Sequence, residues 1–434
     1  MSKHITIVVL GDLGRSPRMQ YHAVSMAKAG FTVSLVGSVG EPCIADVINS
    51  PAIVEHRLLP WRCSAGSVLI YGPFKILYQV FQLFFLLFSL PYSTAILVQN
   101  PPSIPTLLVV WIVCRLRGSR FIIDWHNFGY TILEMSLPPN NMGSCVCKIA
   151  NSYEKWMGRR ADASLCVTIA MQKWLFDEWG INATVLHDRP PSFFCKTPLD
   201  IKHNLFHRLR ADFTDCYHNQ EMTHTLITKK IKSVISLRNE RPAIVLSSTS
   251  WTLDEDFGIL FDAIELLRQR VLSIRKEGGT FPCMVFIITG KGPQREMYEN
   301  RMRTMKLAQD GFHFVTMWLK SDDYPLLLGS VDMGVCLHTS SSGLDLPMKI
   351  VDMFGCQLPV CAYNFNCLNE LVVDGQNGMI FNNSSELAIQ LYNVFNTFPK
   401  KTSLLQKLKA GFDIGWHDNW RTSALPVFED YKNK

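Results

Sequence analysis

The first 37 residues constrain the fold more than any other part of the chain. Ile5–Leu10 is a run of β-branched and apolar residues that stops at Gly11. GDLGRSPRMQYHAVSMAKAGF follows; Met19, Ala23, Met26 and Ala27 share one helical face, and Gly30 ends the helix. TVSLVG then reads as a second strand. Strand, Gly-containing loop, helix and strand make a βαβ unit, the building block of a parallel α/β sheet. Further strands are expected at Ala95–Val98, Arg120–Ile123, Ser164–Val167 and Thr184–Leu186. Two of these finish in polar residues, Gln99-Asn100-Pro101-Pro102 and Asp124-Trp125-His126-Asn127. A sheet of this class carries its ligand crevice at such strand ends.

Strand patterns stop at Pro190 and resume at Pro242. The second series expects strands at Ala243–Leu246, Met284–Thr289, Phe312–Val315, Met333–Leu337 and Pro359–Ala362, separated by helical stretches. The organisation expected is a Rossmann-like domain over 1–190, a linker and variable insertion over 191–240, and a second Rossmann-like domain over 241–410. A tail over 411–434 follows, whose Trp416 and Trp420 would pack back toward the first domain. At ~100–200 residues per domain, 434 residues suit this division. With 47% hydrophobic and 18% charged residues the chain is not disordered or a coiled coil. The net charge, 43 − 37 = +6, is small and no basic motif with interleaved aromatics occurs, so no nucleic-acid partner is expected. Thirteen cysteines, an odd and scattered set, read as reduced thiols. His203, His207, Cys216, His218 and His224 match no zinc spacing and read as polar surface.

Phe74–Leu90, FKILYQVFQLFFLLFSL, is almost uncharged and is stopped by Pro91. It is short for a spanning helix, which needs ~20 residues. It reads either as a core helix or as a helix partly sunk in one leaflet, with Leu107–Cys114 and Arg115, Arg117 and Arg120 extending the surface.

The most informative segment is LHTSSSGLDLPMKIVDMFGCQLPV, Leu337–Val360. A strand end leads through Ser340, Ser341, Ser342 and Gly343 to Asp345 and Pro347, then to a helix. The free N–H groups and dipole of a helix start bind phosphate. Lys349 falls in its first turn, and Asp352, one turn on, suits two vicinal ribose hydroxyls. Gly290-Lys291-Gly292 follows another strand; its small residues admit a ligand and Lys291 suits a diphosphate, although P-loop spacing is absent. Ser248, Thr249 and Trp251 end the first strand of this half and are expected to face the same place. Asp254-Glu255-Asp256 reads as dipole complementarity at a helix start. In the first half, Gly11 and Gly14 leave room for a bulky or anionic ligand, Arg15 and Arg18 suit phosphate, and Asp12 a sugar hydroxyl. Asp124 and His126 form a strand-end acid and imidazole able to take a proton from a sugar hydroxyl.

Two α/β halves with a diphosphate site in the second resemble a GT-B glycosyltransferase, two Rossmann-like domains facing a central cleft. VVLGDLGRSPRMQYHA, LVQNPPSIP, IIDWHNFGY, SSTSWTLDEDF, ITGKGP and TSSSGLDLPMKIVDMFGCQLPVCA look like the chitobiosyldiphosphodolichol β-mannosyltransferase family. The resemblance runs from the first strand to about residue 420 and is weakest over 195–240. It implies transfer of mannose from GDP-mannose to dolichol-linked chitobiose diphosphate at the cytosolic face of the endoplasmic reticulum membrane. The product is a β-1,4 linkage formed with inversion, the first mannose of the N-glycan precursor. It also implies no required cofactor or metal, with a divalent cation at most a stimulant, and other early N-glycan glycosyltransferases as partners. By position, Ser248, Thr249, Lys291, Gly292, the Ser340–Gly343 loop, Asp345, Lys349 and Asp352 would hold the donor. Gly11, Gly14, Arg15 and Arg18 would hold the acceptor, with Asp124 or His126 as base and Asp12 in reserve.

Two departures stand out. Many relatives carry paired glutamates in the donor loop separated by seven residues, where this chain has Asp345 and Asp352. The family commonly begins with a membrane anchor, whereas this chain opens at strand one, which leaves attachment to 74–114. Another GT-B enzyme with a different nucleotide sugar, and a non-catalytic scaffold of the same fold, stay open beside the mannosyltransferase.

Overall fold

The computed structural model describes residues 3–59, 68–137, 141–216, 223–252, 254–400 and 402–429. It comprises two compact units, Met1–Asp188 with Trp416–Lys434, and Arg189–Gly415.

The first unit is built on β1 (His4–Asp12), β2 (Thr32–Ser38), β3 (Ile53–Leu58), β4 (Ala95–Asn100), β5 (Arg120–Trp125), β6 (Ala163–Cys166) and β7 (Thr184–Val185). They form one parallel sheet in the order β3-β2-β1-β4-β5-β6-β7. Its helices are α1 (Pro17–Lys28), α2 (Ala45–Ile48), α3 (Val68–Ser89), α4 (Thr106–Arg117), α5 (Gly129–Ser136), α6 (Asn141–Gly158) and α7 (Ile169–Trp179). Central strands are covered on both faces, which is why Ile5, Ile7, Val8 and Val9 are all buried and the sequence reads as an unbroken apolar run. β3, IVEHRL, lies at the sheet edge and keeps Val54 exposed, so its pattern is not apolar enough to read as a strand. Thr168 caps α7 by accepting the Met171 N–H at 2.9 Å.

The second unit contains α8 (Leu199–Arg208), a hairpin of β8 (Thr228–Ile231) and β9 (Val234–Leu237), and a six-stranded parallel sheet. The sheet strands are β10 (Ala243–Ser248), β11 (Met284–Thr289), β12 (Phe312–Met317), β13 (Met333–Cys336), β14 (Val360–Tyr363) and β15 (Gly378–Phe381). Their order is β12-β11-β10-β13-β14-β15. The remaining helices are α9 (Phe257–Lys276), α10 (Arg295–Met305), α11 (Asp323–Leu328), α12 (Met348–Gly355), α13 (Ser384–Phe395) and α14 (Ser403–Lys407). In both sheets the order reverses beside the first strand, at β1/β4 and at β10/β13, and α/β sheets bind ligands outside the carboxyl ends at such points.

The structure revises the reading of 191–240 as linker and insertion. Leu205, Phe206, Phe213, Leu226 and Ile227 are buried in the same core as Ile244, Val285 and Phe354. The stretch looked like a loop because its few apolar residues sit on one face between polar neighbours. His203 is not surface: it is 5% exposed and its Nδ1 lies 2.8 Å from Thr228 Oγ1. His218 lies outside the described residues. Among the described residues no group of His, Cys, Asp and Glu could hold a metal ion, and no helix is long and apolar enough to cross a membrane.

The tail helices α15 (Trp416–Ser423) and α16 (Leu425–Glu429) belong to the first unit, whereas residues up to Gly415 belong to the second. Trp416 donates its indole N–H to Tyr21 O at 3.2 Å, and the Arg120 guanidinium donates to Val427 O at 2.8 Å.

Candidate active site

In the first unit the candidate residues gather around Asp124 at the end of β5. Its carboxylate has no exposure and is saturated with donors. Arg18 on α1 grips both oxygens, Nε to Oδ2 at 2.8 Å and Nη2 to Oδ1 at 3.0 Å. His22, one turn along α1, places Nε2 3.1 Å from Oδ2, and His126 places Nε2 2.8 Å from the same oxygen. His22 Nδ1 accepts the Trp420 indole N–H at 2.8 Å. An indole can only donate, so His22 Nδ1 carries no proton and its Nε2–H donates to Asp124. Burial holds His22 below its ordinary value, in keeping with a neutral ring. Burial opposes ionisation of Asp124, but the Arg18 charge and the imidazole donors outweigh it and hold the acid well below the usual carboxylate range.

This arrangement separates the two proposed bases. Asp124 has no solvent access and no free affinity for a proton, so it orients its neighbour. His126 has a side chain 22% exposed. With Nε2–H donated to Asp124, Nδ1 keeps its lone pair for a substrate proton.

One expectation for this unit is corrected. Arg18 is not placed to contact an acceptor phosphate: it is 3% exposed and its Nη1 donates to Leu186 O at 2.9 Å and Asp188 Oδ1 at 2.7 Å. Asp12 joins two loops, accepting the N–H groups of Gly14 and Glu41, each at 3.0 Å. Gly14 is small for the same reason, since a Cβ there would lie 2.4 Å from Glu41 O. Gly11 faces open space apart from Val9, and Arg15 is largely exposed, 3.7 Å from Asp12.

In the second unit the ends of β10 and β13 meet as the strand order requires. Thr339 N–H donates to Asp254 O at 2.9 Å, tying the residues after β13 to those before α9. His338 bridges two acids, with Nδ1 2.9 Å from Asp254 Oδ2 and Nε2 3.7 Å from Asp345 Oδ2, the latter an ion-pair distance. Burial alone would lower His338, but these carboxylates outweigh it and push the ring up to about 9, so it is a cation at neutral pH. Asp254 is correspondingly held low by His338, against the effect of burial. Lys349, in the first turn of α12, pairs with Glu255, which is 2% exposed and also accepts the Ser250 N–H at 3.0 Å. The reading of Asp254-Glu255-Asp256 as dipole complementarity therefore holds only for Asp256, whose Oδ1 caps α9 through the Gly258 N–H at 2.7 Å.

The 340–343 loop is a closed turn. Gly343 N–H donates to Ser340 O at 3.2 Å with φ +70°, a backbone conformation that favours glycine. Ser340 and Ser342 both donate to Asp345 Oδ1, and Ser341 is part of the same turn. Thr249 hydrogen-bonds Glu255 and accepts the Trp251 N–H, so it builds the loop. Trp251 does not face the site; it is fully buried against Phe257 and Tyr298. Ser248 accepts the Tyr324 hydroxyl at 3.1 Å, and the Asp352 charge adds to burial in raising Tyr324. Lys291 is exposed, its Nζ 4.4 Å from the Trp318 ring centre. Its flanking glycines answer a close backbone approach: a Cβ on Gly292 would lie 1.8 Å from Ser250 O. The structure thus joins Ser340, Ser342, Asp345 and Lys349 through Asp254, Glu255 and His338. Those last three, with His22 and Trp420, were missed as functional residues. Asp254 and Glu255 carried only the helix-dipole reading, and His338, His22 and Trp420 are each a single residue whose partners lie far away in the chain.

The family described as glycosyl transferases group 1 matches residues 256–397. The chain is 46% identical to the Arabidopsis thaliana protein named UDP-glycosyltransferase TURAN, over 97% of this chain and 96% of that protein. It is 42% identical to the Homo sapiens chitobiosyldiphosphodolichol beta-mannosyltransferase, over 99% of this chain and 93% of that one. The Dictyostelium discoideum protein of the same name is 36% identical over 98% of this chain and 93% of its own length. Among solved structures, a glycosyltransferase from Rickettsia africae ESF-5 superposes with a TM-score of 0.63 at 14% identity, covering all of both chains. The sucrose-phosphate synthase of Thermosynechococcus elongatus superposes with a TM-score of 0.64 at 13% identity, covering 98% of each. With two Rossmann-like sheets, these likenesses place the fold in the GT-B class.

Proposed function

The chain belongs to the chitobiosyldiphosphodolichol beta-mannosyltransferase family, and from that premise we propose that it moves mannose from GDP-mannose to GlcNAc2-diphosphodolichol. It is a glycosyltransferase acting in the lipid-linked oligosaccharide pathway. The observation that carries the assignment is 42% identity maintained over 99% of the chain to a relative of that name.

A β-1,4 product from an α-linked donor requires inversion by single displacement. The acceptor 4-hydroxyl attacks the mannose anomeric carbon as the bond to the GDP oxygen breaks, and GDP leaves with the electron pair. His126 Nδ1 takes the hydroxyl proton, and Asp124 holds the ring and stabilises the imidazolium that forms. Arg18, His22 and Trp420 keep Asp124 in place and act only through it. In the second unit Lys349, Lys291 and the N–H groups of the 340–343 turn would meet the diphosphate, with Asp352 on the ribose. Charge on the departing GDP is in this reading met by side chains and backbone N–H groups, and no resident metal is assigned. The acceptor carries a polyisoprenyl chain, so the reaction takes place at a membrane, which we assign to the cytosolic face of the endoplasmic reticulum.

The Arabidopsis relative's name favours a second reading, a UDP-sugar donor. One experiment tests both. Detergent-solubilised protein is given lipid-linked chitobiosyl diphosphate with labelled GDP-mannose or labelled UDP-sugars, and the product is digested with β-mannosidase. A β-mannosidase-sensitive product from GDP-mannose alone is expected. Transfer from a UDP-sugar would replace the donor assignment. No transfer and no GDP binding would leave a scaffold of the same fold.

A further inference from the structure

Three helices of the first unit lie side by side and present an outer face that the reaction chemistry does not use. α3 packs on α4, and Arg117 of α4 donates to Leu87 O at 2.7 Å and Leu90 O at 2.9 Å, fixing the end of α3. α4 is tied to α6 by the Leu108 N–H donating to Tyr153 Oη at 3.1 Å and by Trp111 against Trp156. The face is therefore rigid. Leu83 and Leu87 point α3 into the core, while Phe74, Leu77, Phe81, Phe85 and Phe88 stay exposed, Phe85 at 66%. Those five positions follow helical spacing and form a row ~21 Å long. α4 adds Leu116 and α6 adds Met142, Val146 and Ile149, all exposed.

The charges on these helices are one-sided. Their sequences hold Lys75, Arg115, Arg117, Lys148 and Lys155. The lone acid is Glu154, which is fully buried and accepts the Gly129 N–H at 2.8 Å. Arg160, just past α6, stacks on Trp156 with 3.7 Å to the ring centre, an amphipathic pair suited to an interface. The apolar row with Lys75 and Lys148 matches the surface of an anionic bilayer, rings entering the acyl boundary and ammonium groups meeting phosphates, while Arg115 pairs with Asp162 and Arg117 is held by α3 carbonyls. A second copy of the same face would set Lys75 and Lys148 against their counterparts, so like charge opposes self-association.

We propose that the outer faces of α3, α4 and α6 are one membrane-docking surface for an anionic lipid bilayer, with α3 lying in its plane. This rests on the reading that the acceptor is lipid-linked. The test is flotation of the full chain with vesicles of phosphatidylcholine alone or mixed with phosphatidylserine. The wild-type chain is expected to float with the mixed vesicles and, in high salt or with phosphatidylcholine alone, at least about tenfold less. Phe81→Ser with Phe85→Ser, and separately Lys148→Glu, should each lower flotation by about tenfold or more, with near-ultraviolet circular dichroism unchanged. Lys148→Glu leaves the core alone, so it remains decisive if the phenylalanine variant misfolds. Flotation unaffected by Lys148→Glu, or equal binding to both vesicle types, would overturn the proposal. So would concentration-dependent dimerisation abolished by the same changes. Transfer to a short-chain, water-soluble chitobiosyl diphosphate without vesicles is expected to survive both variants. Absence of that transfer in the wild-type chain would sink the reaction assignment while leaving the flotation result to judge the surface.

Discussion

His126 and Asp124 are two residues apart on β5 and its exit, yet one has a side chain 22% exposed and the other none, and 2.8 Å separates His126 Nε2 from Asp124 Oδ2. In the proposed mechanism the exposed member meets substrate and the buried one holds it. His126→Ala should lower kcat by about 10²–10⁴-fold with the donor KM little changed, measured by initial rates of mannose transfer. Asp124→Asn should lose activity comparably through the wrong tautomer, and should also destabilise the fold because Arg18 loses a buried partner. A His126→Ala enzyme with near-normal kcat would remove His126 from the mechanism.

Trp420 reaches this pair from the tail through His22. Trp420→Phe keeps an aromatic side chain and deletes the donor to His22 Nδ1, leaving that buried nitrogen unpaired while Nε2–H stays on Asp124. Loss of about 1–2 kcal/mol of stability is expected, read by urea denaturation. A severalfold fall in kcat with an altered pH–rate profile and unchanged donor KM is expected beside it. A stability loss with an unaltered profile would make Trp420 a packing residue.

Lys349 and Lys291 differ in what their removal leaves behind. Lys349→Ala strands buried Glu255, so transfer should fall and stability should drop by roughly 2–4 kcal/mol. Adding Glu255→Gln should return much of the stability and none of the activity. A double variant as unstable as the single one would show that the ion pair is not the cause.

Lys291 is exposed over Trp318, so Lys291→Ala should change stability by less than about 1 kcal/mol. Transfer should still fall by about ten- to a hundredfold if Lys291 meets the diphosphate. Unchanged transfer would release Lys291 from the donor site.

His338 makes stability depend on pH. Its folded value of about 9 lies above the ordinary 6.5, so the folded state binds the proton more tightly. The stabilisation is complete below about pH 6.5 and is lost as pH rises through about 9. The wild-type Tm should therefore fall across that window, and His338→Gln should flatten the fall. Parallel curves for the two proteins would show that His338 is not held as a cation.

Most strand positions were legible because strands buried on both faces must be continuously apolar, and the helices between them carry one apolar stripe. Where that logic weakens, the reading weakened too. Edge strand β3 mixes exposed and charged residues, and the 191–240 stretch places few apolar residues among many polar ones while still filling the core with Phe206 and Phe213. The strand-to-helix turn between Thr339 and α12 was legible because Ser, Gly and Pro at those spacings are themselves the turn chemistry.

The sequence by itself determined two parallel α/β units, the position of their strand ends, and the blocks that carry the family resemblance. Only the tertiary structure decided which polar side chains remain open to substrate. Arg18 looked like a phosphate ligand and is locked to Asp124 and Asp188. The reason is physical: periodicity reports whether a position faces a core, a property of neighbours a few residues away. The partner of a buried charge is set by which strand end lies beside which helix, across 106 residues for Arg18 and Asp124, and no local pattern records it.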